Sequence, residues 1–255
     1  MKLNILLLVC TLIASTSAQT EEVVVISGHP EWPPFSWQKG DEIIGVGPEL
    51  LELIFNDLGI KVQSTYTGNW KRVQEEARVG RIDVIVALYK TSKRKQFFVY
   101  PYTPFASNRS VIWAAKGKPF SFNTWDDLIN LQGGVLLGES YGSSFDSYIE
   151  NKLTVSRVNS MGQIFGMLIK GRIDYFPMGL YAGKINIKKY GFENKIEHFA
   201  THLNQNDVFF AFSSKSKFVS YLDEIEKRFR DYKNNGMVDK LIEKNINLAI
   251  TQQAQ

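Results

Sequence analysis

The chain has 255 residues, 44% hydrophobic, 22% charged and 13% aromatic, which supplies a core and excludes disordered, collagen-like and coiled-coil classes. Its 30 Lys and Arg exceed its 26 Asp and Glu by an excess too small and scattered to mark a nucleic-acid-binding surface. A single cysteine excludes a disulfide framework and a cysteine-based zinc site.

The first segment, residues 1–18 (MKLNILLLVCTLIASTSA), reads as a secretory signal peptide cleaved after Ala18. Lys2 starts it, an apolar run follows, and Thr16 and Ala18 suit a signal peptidase. The run is shorter than the ~20 residues that span a bilayer, which disfavours an anchor. Cys10 follows Leu8-Val9, without the small residues of a lipid-attachment site, and leaves with the peptide. No later stretch approaches spanning length, so the expectation is an exported, soluble chain.

Val23-Val24-Val25-Ile26 is a continuous β-branched run, as in a strand buried on both faces. Pro48 to Leu58 predicts a helix with Leu50, Leu51, Ile54, Phe55 and Leu58 on one face, stopped by Gly59. Val62, Ser64 and Tyr66 alternate as a strand. Asn69 caps a helix through Val79, ended by Gly80. Asp83 to Leu88 is another buried strand. The β-α-β-α-β order implies a parallel, helix-covered sheet.

A second set begins with a strand over Ser110 to Ala115. Thr124 opens a helix, with Asp127 completing a capping box. Val135 to Leu137 is a strand, and Ser143 or Ser144 caps a helix carrying Phe145, Tyr148 and Ile149. Ser160 caps another that ends at Gly171, and Asp174 to Met178 is a strand. Gly80-Arg81-Ile82-Asp83 recurs as Gly171-Arg172-Ile173-Asp174, each copy where a helix gives way to a strand, which suggests two similar halves. The echo reads as structural, with Gly at a helix end and Asp at a turn. Val208 to Phe212 is a further strand. Phe218, Leu222, Ile225, Phe229 and Tyr232 line one face of a long helix ended at Asn234-Asn235-Gly236, and Met237 to Asn245 is the last helix.

Several segments together carry a family resemblance. They are Trp32-Pro33-Pro34-Phe35-Ser36-Trp37 with Gly45; Trp70 with Gly80-Arg81-Ile82-Asp83-Val84-Ile85; and Thr91-Ser92-Lys93-Arg94 with Phe98 and Pro101-Tyr102. Asp127-Leu128 with Gly138-Glu139-Ser140-Tyr141-Gly142-Ser143, and Gly236 before the final helix, complete the set. Over nearly all of the exported chain this resembles the bacterial family-3 extracellular solute-binding proteins, the amino-acid-binding components of ABC transporters. The resemblance implies an α/β, two-lobe hinged clamp of the type II periplasmic binding-protein kind, each lobe a mostly parallel sheet flanked by helices. It implies a discontinuous first lobe (19–108 plus 207–255), a second lobe (109–206), and crossing strands near 107–111 and 203–208. It also implies a monomer without cofactor or metal that takes a small-molecule ligand in the periplasm and serves an inner-membrane ABC permease.

By resemblance, Arg94 holds the ligand carboxylate, a task its planar, permanently charged fork suits. On its own sequence Arg94 also fits a solvated run from Lys90 to Lys95. Trp32 and Trp70 match positions where the family stacks an aromatic ring on the ligand, while Trp37, Trp113 and Trp125 read as packing. Tyr141, Gly142 and Ser143 precede a helix, whose N-terminal N–H groups favour an anion. Tyr89 stands where the family's amino-acid binders carry Ser or Thr. The acid that pairs with the ligand ammonium falls, by counting from Asp174, on Gly179. Ligands other than an ordinary α-amino acid therefore stay open, and Glu139, Glu31 or Glu49 are the carboxylates in reach. Glu49 also fits a first-turn helix charge. Glu139 and His29, the latter where relatives often have Asp, are candidate ligand contacts.

His198 and His202 lie four apart but lack a zinc-protease Glu and a third ligand, and the sequence around them is β-like. Asn108-Arg109-Ser110 fits a glycosylation sequon. Two other functions stay in view: an exported dehydratase on the same fold, for which Glu139 is the one nameable acid, and a stand-alone sensory binding protein. The expectation is a binding protein and not an enzyme.

Overall fold

The computed structural model describes residues 22–117 and 120–251, so the signal-peptide reading of residues 1–18 lies outside the described residues. The first half opens with β1 (Val23–Ser27), followed by a small meander of β2 (Glu31–Trp32), β3 (Ser36–Lys39) and β4 (Glu42–Ile44). Sequence patterning does not show this meander. The Pro33–Pro34 peptide, which is cis, turns the chain between β2 and β3. Helix α1 (Val46–Asn56) starts two residues before the predicted helix and buries Leu50, Leu51, Ile54 and Phe55. β5 (Lys61–Ser64), α2 (Trp70–Arg78) and β6 (Val84–Tyr89) follow as predicted. The Asn69 side chain accepts from the Arg72 N–H at the head of α2. β6 is buried at all six positions, whereas Val23 of β1 is exposed and corrects the two-face burial expected there.

After a one-turn 3₁₀ segment at Arg94–Gln96 and the short β7 (Phe98–Val99), the long β8 (Ala106–Ala115) carries the chain into the second half. There it forms β9 (Gln132–Leu136), α3 (Ser143–Lys152), β10 (Thr154–Val158), α4 (Met161–Ile169), β11 (Tyr175–Gly179) and α5 (Leu180–Lys189). The helix expected from Thr124 is a 3₁₀ turn over Trp125–Leu128, with the Thr124–Asp127 capping box in place. α3 is capped by Gly142 and not by a serine side chain, whereas Ser160 caps α4 by accepting from the Gln163 N–H. The chain returns along β12 (Ile196–Ser213), 18 residues long, and closes with α6 (Leu222–Asn234) and α7 (Met237–Thr251). Among the described residues no helix is long and apolar enough to cross a membrane.

The main sheet has the order β10-β9-β11-β8-β12-β6-β1-β5. β5-β1-β6 at one end and β10-β9-β11 at the other are parallel; the middle is antiparallel. β8 and β12 pair from Ala106↔Val208 to Ala115↔Ile196, so this two-strand ladder joins the halves. One core gathers Val24, Phe55, Val86 and Phe105 with Phe210, Phe218 and Phe229 of the C-terminal segment. Others gather Trp113, Phe165 and Phe176, and Tyr141, Phe145 and Tyr175. Trp32 packs against the first core and the second, and so sits at the seam.

The Gly-Arg-Ile-Asp echo has one geometry used twice. Asp83 donates its N–H to the Val25 carbonyl, and its Oδ2 accepts the Val25 N–H at 2.9 Å. Asp174 does the same with Gln132, accepting its N–H at 2.9 Å. Each carboxylate staples the start of its own strand to the neighbouring one. Asp83→Ala and Asp174→Ala are each expected to lower stability by about 1–3 kcal/mol by orphaning a strand N–H, with Asn milder; urea denaturation measures it.

Candidate functional site

Arg94 sits on the 3₁₀ turn that follows β6, at 7% exposure. Its guanidinium donates from Nε to Gln74 Oε1, from Nη1 to the Tyr89 carbonyl and from Nη2 to the Gly138 carbonyl, each at 3.2 Å. A guanidinium has five N–H groups in a fixed fork, so one remains on each terminal nitrogen. Burial pulls its pKa down, and the Glu139 carboxylate opposes this. Arg94 lies 5.6 Å over the Trp70 ring. The solvated reading of the 90–95 run is thus overturned for Arg94. The adjacent cleft, about 550 Å3, is walled by Gln74, Thr91 and Arg94 on one side and Glu139, Ser140 and Tyr141 on the other. That size accommodates a small organic solute.

Glu139 faces it from the loop after β9. His29 Nδ1 accepts from the Glu31 N–H at 2.9 Å, which puts the proton on Nε2 in the neutral ring. Nε2 lies 3.1 Å from Glu139 Oε2, so the carboxylate faces the N–H end of the ring. Burial alone would push the Glu139 carboxyl up, but His29, Arg94 and the Ser140 N–H outweigh it and hold it below its ordinary value. Its stabilising contribution is therefore fully present above the ordinary carboxylate range and is lost as pH falls through the lowered folded value. The stability gap between the wild type and Glu139→Gln should accordingly shrink as pH drops below about 4.5. Melting curves across acid pH measure this, and a gap that widens toward acid contradicts it.

Glu31 accepts a bond on each of its carboxylate oxygens. Its carboxylate accepts from the Met161 N–H at 3.0 Å, at the N-terminus of α4, and from the Tyr190 hydroxyl at 3.1 Å. Like the His29–Glu139 and Arg94–Gly138 contacts, this joins residues of the first half to the second. Glu49 instead meets Lys244 at 2.7 Å and Asn245 at 3.3 Å on α7, away from the cleft.

The loop before α3 has less spare donor capacity than its helix-start position suggests. Asp146 accepts the Tyr141 N–H at 2.7 Å and the Ser140 hydroxyl, and the Gly142 N–H goes to Ser140 Oγ. Burial pushes the Asp146 carboxyl up, opposed by the Ser140 and Tyr141 bonds. Gly142 has φ 101°, and a Cβ there would lie 2.6 Å from Asn206 Oδ1, so only glycine fits. The Asn204 and Asn206 amides both donate to the Tyr141 carbonyl, tying this loop to β12.

A smaller cavity of about 30 Å3, room for about two waters, lies beside the cleft and shares the walls Leu136, Glu139, Ser140 and Tyr141. His29, Glu31, Trp32, Tyr89, Asn108 and Gly179 are among its other lining residues. Asn108 Nδ2 donates to the Tyr89 hydroxyl at 2.6 Å. Burial pushes the Tyr89 phenol up to about 12 despite its bonds to Asn108 and Ser110. A Cβ at Gly179 would lie 2.6 Å from Asn108 Nδ2, so Asn108 fills the volume a side chain at 179 would need. With 2% exposure, Asn108 is no acceptor for a glycan in the folded chain, which corrects the sequon reading.

Of the predicted residues, Arg94, Glu139, Tyr141 and Ser143 line the cleft, and His29, Trp32, Tyr89, Glu139 and Tyr141 line the cavity. Gly142 opens toward Asn206 instead. Trp70, at 3% exposure, backs His29 at 5.0 Å and Arg94, so it supports the site from behind. His198 and His202 lie on β12, with His198 edge-on to Trp113. Sequence reasoning missed Gln74 and Asn108. Gln74 had a faint signal, four residues after Trp70 on one helix face.

The family model for bacterial extracellular solute-binding proteins, family 3, matches residues 24–247. No curated protein matches in sequence. An amino acid ABC transporter substrate-binding protein, AbpA from Streptococcus pneumoniae, bound to L-arginine, superposes at TM-score 0.76 and 19% identity, over 89% of this chain and 96% of that one. A mutant of ArgBP from T. maritima gives 0.74 and 20%, over 88% and 95%. The ancestral amino-acid-binding protein AncCDT-1, a precursor of cyclohexadienyl dehydratase, gives 0.70 and 18%, over 88% and 95%. These likenesses show the two-lobe fold of the type II periplasmic binding proteins. With the family match spanning most of its length, the chain belongs to the bacterial extracellular solute-binding proteins of family 3.

Proposed function

We propose that this protein captures a small carboxylate-bearing, amino-acid-like solute between two lobes, 19–108 plus 207–255 and 109–206, and delivers it to an inner-membrane ABC permease after export by the 1–18 signal peptide. The observation that carries the reading is the buried Arg94 guanidinium, with one N–H on each terminal nitrogen still open at the wall of a 550 Å3 cleft. The planar fork of a guanidinium is the shape that pairs with a carboxylate bidentately. Trp32 supplies an apolar wall at the seam, Ser143 and Tyr141 face the solute from the second lobe, and His29 with Glu139 closes the gap between lobes. A solute touching both lobes gives the closed state contacts that the open state lacks.

A binding role without catalysis fits the state of Glu139. A general acid needs a proton near working pH, whereas His29 and Arg94 hold this carboxyl ionised. Titration calorimetry with a panel of amino acids, hydroxy acids and amines tests the reading: carboxylates should bind and simple amines should not. Incubation with prephenate should yield no phenylpyruvate; turnover would revive the dehydratase reading.

A further inference from the structure

Glu31 is held by the opposite half of the molecule at three atoms. Its carboxylate oxygens accept the Met161 N–H at 3.0 Å and the Tyr190 hydroxyl at 3.1 Å, and its carbonyl accepts from Asn186 Nδ2 at 3.0 Å. Glu31 belongs to β2 in the first half; in the second, Met161 opens α4, Asn186 lies on α5 and Tyr190 follows its last residue. The Met161 N–H is one of the helix-start donors without a partner inside α4, and a carboxylate is the charge such a helix end favours. Asn186 is only 2% exposed, so this is a packed set and not a surface pairing. The next residue, Trp32, packs against the cores of both halves. Other contacts between the halves are harder to separate from the site. His29–Glu139 and Arg94–Gly138 each involve the cleft wall itself, and Lys93–Glu150 is an exposed pair, a kind worth little. Glu31 borders the small cavity but not the cleft.

We propose that Glu31 is a closure latch: it sets the fraction of molecules whose two lobes are shut, and through that fraction the affinity for every solute, without selecting among them. The inference rests on the reading of a cleft that closes by movement of one lobe against the other. All three Glu31 bonds cross between the lobes, so they exist only while the lobes are together. When the lobes part, the same groups return to water. The closed state alone gains these bonds, and a difference of that kind is what shifts a two-state equilibrium. Apparent affinity scales with the fraction of molecules that is competent to bind. Loss of the latch therefore lowers the affinity for all solutes by one common factor. A side chain that touches the solute changes their ranking instead.

Cross-linking across the cleft mouth reads the closed fraction with no solute present. Lys93 and Glu150 meet at 2.9 Å from opposite lobes and are both exposed. A parent chain carrying Lys93→Cys, Glu150→Cys and Cys10→Ser is therefore joined by a short bifunctional thiol reagent only while the lobes are shut. Glu31→Ala should slow the joining about tenfold, the weight of bonds to a charged group. Glu31→Gln keeps the shape and one good acceptor and should slow it less. Tyr190→Phe should slow it too, and should add nothing in the Glu31→Ala background, because both remove the same hydroxyl–carboxylate bond. Melting curves show that each variant folds. Tyr190→Phe keeps its ring against Phe165, so this arm decides the matter even if the alanine variant fails to fold. An unchanged rate in these variants overturns the latch, and so do effects of Glu31→Ala and Tyr190→Phe that simply add. No joining in the parent chain overturns the closed arrangement on which the latch rests. The rates need no solute, so the Arg94 reading stands or falls separately, by calorimetry. Where L-arginine, L-glutamine and glutarate bind, Glu31→Ala should weaken all that do by one factor; a loss that differs among them makes Glu31 a solute contact and overturns the latch.

Discussion

Replacing Arg94 by alanine is expected to weaken solute binding by on the order of a hundredfold or more. Truncating one member of a buried, hydrogen-bonded charge pair costs about 2–5 kcal/mol, most of it the penalty of leaving the other charge unpaired. The loss should fall mainly on dissociation, because the guanidinium contacts the solute only once it is seated. Arg94→Lys separates charge from shape. An ammonium keeps the charge but not the fork, and it cannot serve Gln74, Tyr89 and Gly138 together. Its affinity should lie between those of the wild type and the alanine variant. Gln74→Ala removes the partner that orients Nε and should cost less than Arg94→Ala. Calorimetry on all three gives the order. If Arg94→Ala binds a carboxylate solute as well as the wild type does, the assignment of this residue is wrong.

The parts of this fold that are legible from sequence are those where period and cap agree. α1 and α4 have apolar faces at helical spacing, and β6 is an unbroken apolar run. The elements that escape have a physical reason to do so. Outside its C-terminal end, β12 alternates exposed and half-buried polar positions such as Thr201, Asn204 and Asn206, because it crosses between the halves instead of lying under helices. α5 begins without a side-chain cap and carries Gly183, where a Cβ would run into the Trp113 ring, so packing and not propensity keeps it helical. The site divides in the same way. Arg94 and Glu139 stand in recognisable segments, whereas Asn108 looks like part of a surface tripeptide until β8 places it opposite Asn206 and beneath Gly179. A polar residue acquires its role from what the ladder sets against it, and local sequence does not encode that.

Glu226→Ala should produce one of the largest losses of stability available outside the apolar core. Glu226 lies on α6 at 4% exposure, and its carboxylate accepts the Tyr102 N–H at 3.1 Å, the Thr103 N–H at 3.3 Å and the Thr103 hydroxyl. Removing it orphans two backbone donors whose bonds were charge-assisted, an expected cost of about 2–4 kcal/mol. For a chain of this size that is a fall in melting temperature of about 5–15 °C. Glu226→Gln keeps the shape and one good acceptor and should lose roughly half as much; Thr103→Val isolates the hydroxyl's share. The consequence reaches the cleft because of what Glu226 holds. Tyr102 is 79% exposed, so the Pro101-Tyr102 end of the Arg94 segment is anchored through backbone and not through side-chain packing. That anchor fixes the chain between β7 and β8, and β8 carries Asn108. A carboxylate on the C-terminal helix thus sets the entry of the crossing strand, and Glu226→Ala should weaken solute binding as well as folding, even though Glu226 borders neither the cleft nor the cavity. Calorimetry well below the melting temperature separates the two effects: unchanged affinity in a folded but destabilised variant would confine Glu226 to stability and break its link to the site.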